Sequence, residues 1–206
     1  MPGLLGLDCH NLALARGRHI VFRDLNFAIA AGMVLSVEGP NGAGKTSLLR
    51  LLAGFLEPLA GTVLVRLKAG PTVSDAEERG RLVGWLGHQD GLKPQLTPAE
   101  SLRFFARYHA KDCDVGAALR DVGLDRMQDL PVSFLSAGQK RRLALARLKL
   151  MQRPVWLLDE PLSALDAAGR ALAAELIGAH CAGGGLVIAA THEPLGLDSR
   201  QLVLGA

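Results

Sequence analysis

The chain has 206 residues, 23 of them basic and 20 acidic, for a formal net charge of +3; 49% are apolar and 21% charged. That composition excludes wholesale disorder, and so mild a charge is no argument for a nucleic-acid partner. The length suits one domain of roughly 150 residues with room for an inserted subdomain. Apolar runs stay short of the roughly 18 residues of a membrane span, and the N-terminus lacks the basic-then-apolar order of a signal peptide. A chain that neither spans the membrane nor is exported by a leader is therefore expected. Cys9, Cys113 and Cys181 are odd in number and far apart, which predicts reduced thiols and no disulfide framework.

In chain order, Leu4 to Leu14 and Phe22 to Ile29 alternate as strands do, with Gly17 between them. Met33 to Val37 is an apolar run bounded by Gly32 and Gly39, which predicts a buried strand. A helix is expected over Thr46 to Ala53, closed by Gly54, and a strand at Val63-Leu64-Val65. Residues 68 to 80 are polar and glycine-containing and predict a surface loop, followed by a strand over Leu82 to Leu86.

From Thr97 to Gln152 the pattern is helical, with Thr97 as a cap, Pro98 at a first helical position and Pro131 as a break. Ser136 is placed to cap a long helix that ends before Pro154. Val155 to Leu158 predicts a strand, Ala164 to Cys181 a helix, and Leu186 to Ala190 a final strand. The order is thus β-rich, then helical, then βαβ.

Gly39-Pro40-Asn41-Gly42-Ala43-Gly44-Lys45-Thr46 matches the phosphate-loop pattern, with accidental matches expected on the order of 0.005 times in this composition. It follows a strand and opens a helix, as the chemistry requires. Glycines let successive N–H groups turn toward one point, and the helix N-terminus adds positive potential there. Lys45 is expected on the β and γ phosphates, and the Thr46 hydroxyl on Mg²⁺. Asp159 and Glu160 end an apolar strand. Asp159 suits the Mg²⁺ shell, and Glu160 suits a base that orients or deprotonates water.

Leu135-Ser136-Ala137-Gly138-Gln139 resembles the signature motif of the ATP-binding cassette (ABC) ATPases. Gln89 resembles their Q-loop glutamine, Ser163-Ala164-Leu165-Asp166 their D-loop, and His192 their switch histidine. The resemblance covers nearly the whole chain. It implies an α/β fold: a P-loop NTPase of ABC type, with a RecA-like core, an antiparallel β subdomain and a helical subdomain inserted at about 95–153, all within a single domain over 1–206. It implies ATP and Mg²⁺ as cofactors, Gln89 near Mg²⁺ and the attacking water, and His192 in catalysis. It also implies a head-to-tail homodimer, in which Ser136 and Gly138 meet the γ-phosphate held by the second ATP-binding subunit. Gln139 then supports the signature turn and Asp166 shapes the composite site.

Two positions depart from the family pattern. Ala137 stands where a glycine is usual, and Arg16 stands near the place of the aromatic that stacks on adenine. A guanidinium can stack on a base, so Arg16 is a candidate base contact.

The stretches Glu38 to Arg50, Gly84 to Lys93 and Leu135 to Arg147 further resemble the CcmA family, the ATP-binding subunits of the bacterial cytochrome c maturation system, often called the haem exporter. This implies a peripheral subunit on the cytoplasmic face of the inner membrane. It implies a CcmB-like membrane partner with CcmC-like and CcmD-like subunits, membrane contact through those partners, and no nucleic acid. The competing expectations are a cassette for another cargo such as a lipoprotein or amino acid, a soluble cassette acting on DNA or ribosomes, and a non-catalytic nucleotide-binding module. Retention of Glu160 and His192 argues against the last. Cys9-His10, His88 and His109 form no C-x-x-C-H motif and predict no haem ligand. Lys140, Arg141 and Arg142 are consecutive on a helix, which predicts a solvated face.

Overall fold

Leu4–Arg16 (β1) and His19–Ala30 (β2) pair antiparallel around a turn at Gly17, in a computed structural model that describes residues 3–108 and 114–205. Cys113 and His109 lie outside the described residues. Irregularities after Cys9, Leu12 and Leu14 let the long hairpin bend, and Ala60–Leu67 (β4) pairs with the other edge of β1 in the order β2-β1-β4.

The second sheet is parallel. Val34–Glu38 (β3), Val83–Leu86 (β5), Val155–Asp159 (β6), Leu186–Ala190 (β7) and Arg200–Val203 (β8) stand in the order β5-β6-β7-β3-β8. Its central strands β6 and β7 are buried along their whole length because both faces are covered, while β8 is an exposed edge. Trp156, Leu158, Val187 and Ala189 pack into one core with the helices Pro98–Tyr108 (α3), Val115–Arg120 (α4), Ala137–Met151 (α5) and Ala167–Ala182 (α6). Val155, Leu157, Leu186, Ile188 and Ala190 point the other way, into a core shared with β1, β4 and the helix Lys45–Leu52 (α1). Burial of Leu48, Leu49, Leu51 and Leu52 on α1 is nearly complete, worth about 1.5–3 kcal/mol for each side chain.

The helix boundaries follow their caps. Thr97 Oγ1 accepts from Glu100 N–H, and Thr97 N–H donates in turn to Glu100 Oε2, which starts α3. Ser136 and Gln139 form the same reciprocal pair at the start of α5, which ends at Gln152 in a left-handed conformation before Pro154.

Three expectations need correction. Residues 68–80 are not all loop, because Ala76–Leu82 is a short helix (α2) whose cap is Asp75, accepting from Glu78 N–H at 2.9 Å. Leu186–Ala190 is not the final strand, because β8 follows it and pairs parallel with β3 as an exposed edge. The helix α6 begins at Ala167 and not at Ala164, since Ala164 has φ of 62° and Asp166 is the cap.

Candidate functional site

The carboxyl ends of β3, β6 and β7 lie side by side, which is where open parallel sheets bind ligands. The loop from Gly39 to Gly44 leaves β3 there and feeds α1. Gly39 has φ of 140°, and a Cβ on it would sit 2.4 Å from the Leu204 carbonyl oxygen, so no larger residue fits. Gly44 is the left-handed cap of α1, and a Cβ there would meet Val21 at 2.4 Å. The β1–β2 hairpin therefore closes directly over the loop.

Lys45 is buried, and its Nζ donates to the carbonyls of Gly39 at 2.7 Å and Pro40 at 3.1 Å. This holds the ammonium inside the curl of the loop. The Thr46 hydroxyl lies 3.0 Å from each carboxylate oxygen of the buried Asp159. A hydroxyl and a carboxylate are hard oxygen donors, and their number and kind fit Mg²⁺.

Glu160 follows with φ of 50°, rare for a side chain with a Cβ, and its N–H donates to the Ala190 carbonyl at 2.8 Å. His192 Nε2 stands 3.6 Å from Glu160 Oε1. A turn in which Thr191 Oγ1 donates to the Glu193 carbonyl and accepts from its N–H fixes the histidine at the end of β7.

These groups line one cleft of about 340 Å³, with Arg16, Val21, Asn41, Gly42, Gly44, Ser47 and His88 completing its wall. Arg16 thus stands on the wall where a base contact was expected. From the loop after β5 the residue on the wall is His88, while Gln89 is exposed beside it. A larger cavity of about 570 Å³, lined by Trp156, His180 and residues of α4 and α5, contains none of the motif residues.

The signature residues are outside the cleft. Ser136 is exposed at the start of α5, with Gln139 N–H donating to its hydroxyl at 3.2 Å and Gln139 Oε1 accepting from Ser136 N–H at 2.8 Å. Ala137 is the first helical residue, so its methyl group costs nothing there, and the left-handed backbone that it would disfavour is not used. A Cβ on Gly138 would come within 2.7 Å of the Ala164 carbonyl, so signature and D-loop touch within one chain. Asp166 is exposed and caps α6, accepting from Gly169 N–H at 2.8 Å.

The solvated face expected at Lys140, Arg141 and Arg142 is contradicted. Arg141 is 3% exposed, because the side chain turns inward under the ends of β5 and β6, where carbonyl groups and Asp90 receive it. Arg147 is also buried, with its guanidinium 4.9 Å from the Phe105 ring and a bond to the Gly91 carbonyl. Burial lowers its pKa, and Asp90 opposes that shift. Among the described residues no cluster of three His, Cys, Asp or Glu could hold a metal ion. Cys9 and Cys181 are free and buried.

The sequence profile of the ABC transporter family matches residues 22–163. A relative in Bradyrhizobium diazoefficiens, called "Cytochrome c biogenesis ATP-binding export protein CcmA", is 49% identical over 200 residues, covering 97% of this chain and 98% of that one. A protein of the same name in Rhodopseudomonas palustris (strain BisB5) is 46% identical over 201 residues, with the same coverage.

The chain belongs to the CcmA family of ABC ATP-binding proteins.

Two solved structures share the fold. The ATP-binding subunit of an ABC transporter superposes with a TM-score of 0.81 at 22% identity, covering 96% of this chain and 85% of that one. A putative ABC transporter ATP-binding protein from Pyrococcus furiosus gives 0.82 at 21% identity, covering 97% of each. The expected fold of a parallel core, an antiparallel β sheet and helices between β5 and β6 is the one observed. Among the described residues no helix is long and apolar enough to cross a membrane.

Proposed function

We propose that this chain is the ATP-binding and ATP-hydrolysing subunit of an export complex for cytochrome c maturation, on the cytoplasmic face of the bacterial inner membrane. The observation that carries this reading is the convergence of Lys45, Thr46, Asp159, Glu160 and His192 on one cleft in a chain of the CcmA family. The whole chain acts as one ATP-binding domain, with the helical segment at about 95–153 inserted in its core.

The loop N–H groups from Gly39 to Gly44 cradle the phosphates of ATP, and Lys45 neutralises the β and γ groups. Thr46 and Asp159 hold Mg²⁺, which when bound offsets charge on the phosphates. Glu160 accepts a proton from the attacking water, whose oxygen displaces ADP from the γ-phosphorus, leaving ADP and inorganic phosphate. His192, 3.6 Å from Glu160, steadies that carboxylate and the departing phosphate. Gln89, on the loop next to His88, would contribute its amide to Mg²⁺ and the attacking water. Arg16 stacks on the base.

Ser136 and Gly138 lie outside their own chain's cleft, which supports a homodimer in which each signature completes the partner's site. Gln139 braces the signature turn, and Asp166 helps shape the composite site across the interface. The membrane partner is a CcmB-like subunit with CcmC-like and CcmD-like subunits, and membrane contact runs through them.

Complementation tests this reading. In a host deleted for its own copy, the wild-type chain should restore haem-stained c-type cytochromes, and Lys45→Ala, which removes the phosphate cation, should not. Full restoration by Lys45→Ala would overturn an ATP-dependent role. Failure of the wild-type chain, expressed with its own membrane partners, would overturn the role in cytochrome c maturation.

A further inference from the structure

The guanidinium of Arg141 uses every N–H it has. Nη1 donates to the Gly87 carbonyl and to Asp90 Oδ1, both at 2.8 Å. Nη2 donates to the carbonyls of Asp159 and Glu160, both at 2.6 Å, and Nε to that of Pro161 at 3.3 Å. Five donors in a rigid fork thus find five acceptors on two separate loops, from a side chain that is 3% exposed.

The contacts bracket one residue. The Asp159 carbonyl belongs to the peptide before Glu160, and the Glu160 carbonyl to the peptide after it. Glu160 has φ of 50°, and its own N–H is held by the Ala190 carbonyl. A non-glycine residue in this region costs about 1–3 kcal/mol and persists where its surroundings over-determine it. Arg141 is what surrounds it on the α5 side. The same fork grips the loop after β5 at Gly87 and Asp90, and Arg147, six residues further along α5, holds Gly91.

We propose that Arg141 is a positioning residue that sets the backbone of Glu160, and so the aim of its carboxylate, and locks that setting to α5 and to the Gly87–Gly91 loop. The proposal rests on the assignment of Glu160 as the base. A helix capped by the exposed Ser136 is thereby tied, five residues on, to the carboxylate that activates water. A shift of α5 reaches Glu160 through one side chain.

A misplacement of about 1 Å costs on the order of a hundredfold in rate, so Arg141→Gln should lower kcat at least about tenfold. The dissociation constant for ATP without Mg²⁺ should stay within about twofold, since the hydrogen bonds of Arg141 go to Gly87, Asp90, Asp159, Glu160 and Pro161 and not to the phosphate loop. Arg141→Lys, with three donors in place of five, should keep most of the loss. Asp90→Asn leaves the arginine in place and should lower kcat by about threefold.

Single-turnover hydrolysis in a Glu160→Gln background separates aim from fold. There, Arg141→Gln should add less than about twofold, because there is no carboxylate left to aim. Should Arg141→Gln not fold, Arg141→Lys and Asp90→Asn carry the same comparison. Normal kcat in Arg141→Lys, or a full additive loss in the Glu160→Gln background, would overturn the positioning role. If Glu160→Gln itself hydrolyses ATP normally, the assignment of the base falls, and this proposal with it.

Discussion

The hydroxyl of Thr46, at the first turn of α1, lies 3.0 Å from both carboxylate oxygens of Asp159, at the end of β6, across 113 positions of sequence. Two hard donors from different elements meet at the mouth of one loop. Each is held by a separate scaffold: Thr46 by the buried leucines of α1 and Asp159 by the central parallel sheet.

Removing either donor should therefore act through the metal. Thr46→Ala should raise the Mg²⁺ concentration needed for half-maximal hydrolysis by about 10–100-fold, while ATP binding without Mg²⁺ changes little. Asp159→Asn should do the same and also lower kcat. A magnesium titration of the ATPase rate measures both effects, and an unchanged midpoint in either variant would remove that residue from the metal site.

Lys93, Pro94 and Gln95 are exposed between the loop after β5 and the start of α3, and Lys93 Nζ sits 6.0 Å from the ring of the exposed Phe104. Leu92 is half-buried against the helical core, so the exposed positions give the cleaner test. We propose that this exposed stretch meets the membrane subunit, so Lys93→Glu and Gln95→Ala should spare nucleotide affinity, weaken co-purification with that subunit and block cytochrome c maturation in cells. Lost nucleotide binding with intact co-purification would invert this assignment.

His180 packs face to face with Trp156, at 3.9 Å between ring centres, and is buried. Burial pushes its pKa down to about 4, against the opposing pull of backbone groups at Pro154 and Leu186. An unfolded chain takes up that proton near the ordinary value of 6.5, so between pH 6.5 and 4 the unfolded state binds more protons than the fold. Stability from this group is complete above pH 6.5 and is lost as the pH falls, by up to about 3 kcal/mol. Urea denaturation from pH 7 to 4.5 should show a steeper acid loss in the wild-type chain than in His180→Gln. Parallel slopes would exclude His180 as a source of acid sensitivity.

Some of this was readable in the sequence because the chemistry is local. The phosphate loop, the Asp159-Glu160 strand end and the Thr97 and Ser136 caps are short patterns whose spacing carries their geometry. The helix at Ala76–Leu82 was missed although Asp75-Ala76-Glu77-Glu78 is a cap followed by an acidic first turn. Gly70, Pro71 and Gly80 in the same polar stretch read as loop and mask that signal. β8 was missed because an exposed edge, Arg-Gln-Leu-Val, needs no apolar run. The buried Arg141 was unreadable for a different reason. Three adjacent cations suggest solvent, and the acceptors that draw one of them inward come from positions 51 and 54 residues before it and 18 to 20 residues after it. His88 on the cleft wall was passed over because it was weighed only as a haem ligand.

The central claim is that Glu160 removes the proton from the water that attacks ATP in this cleft. Steady-state ATP hydrolysis by purified Glu160→Gln, with nucleotide affinity measured on the same protein, tests it most directly. Hydrolysis should fall at least about a hundredfold while ATP still binds and holds the chain as a dimer, since the carboxamide keeps the shape and loses the base. Hydrolysis near the wild-type rate by a clean preparation would contradict the claim.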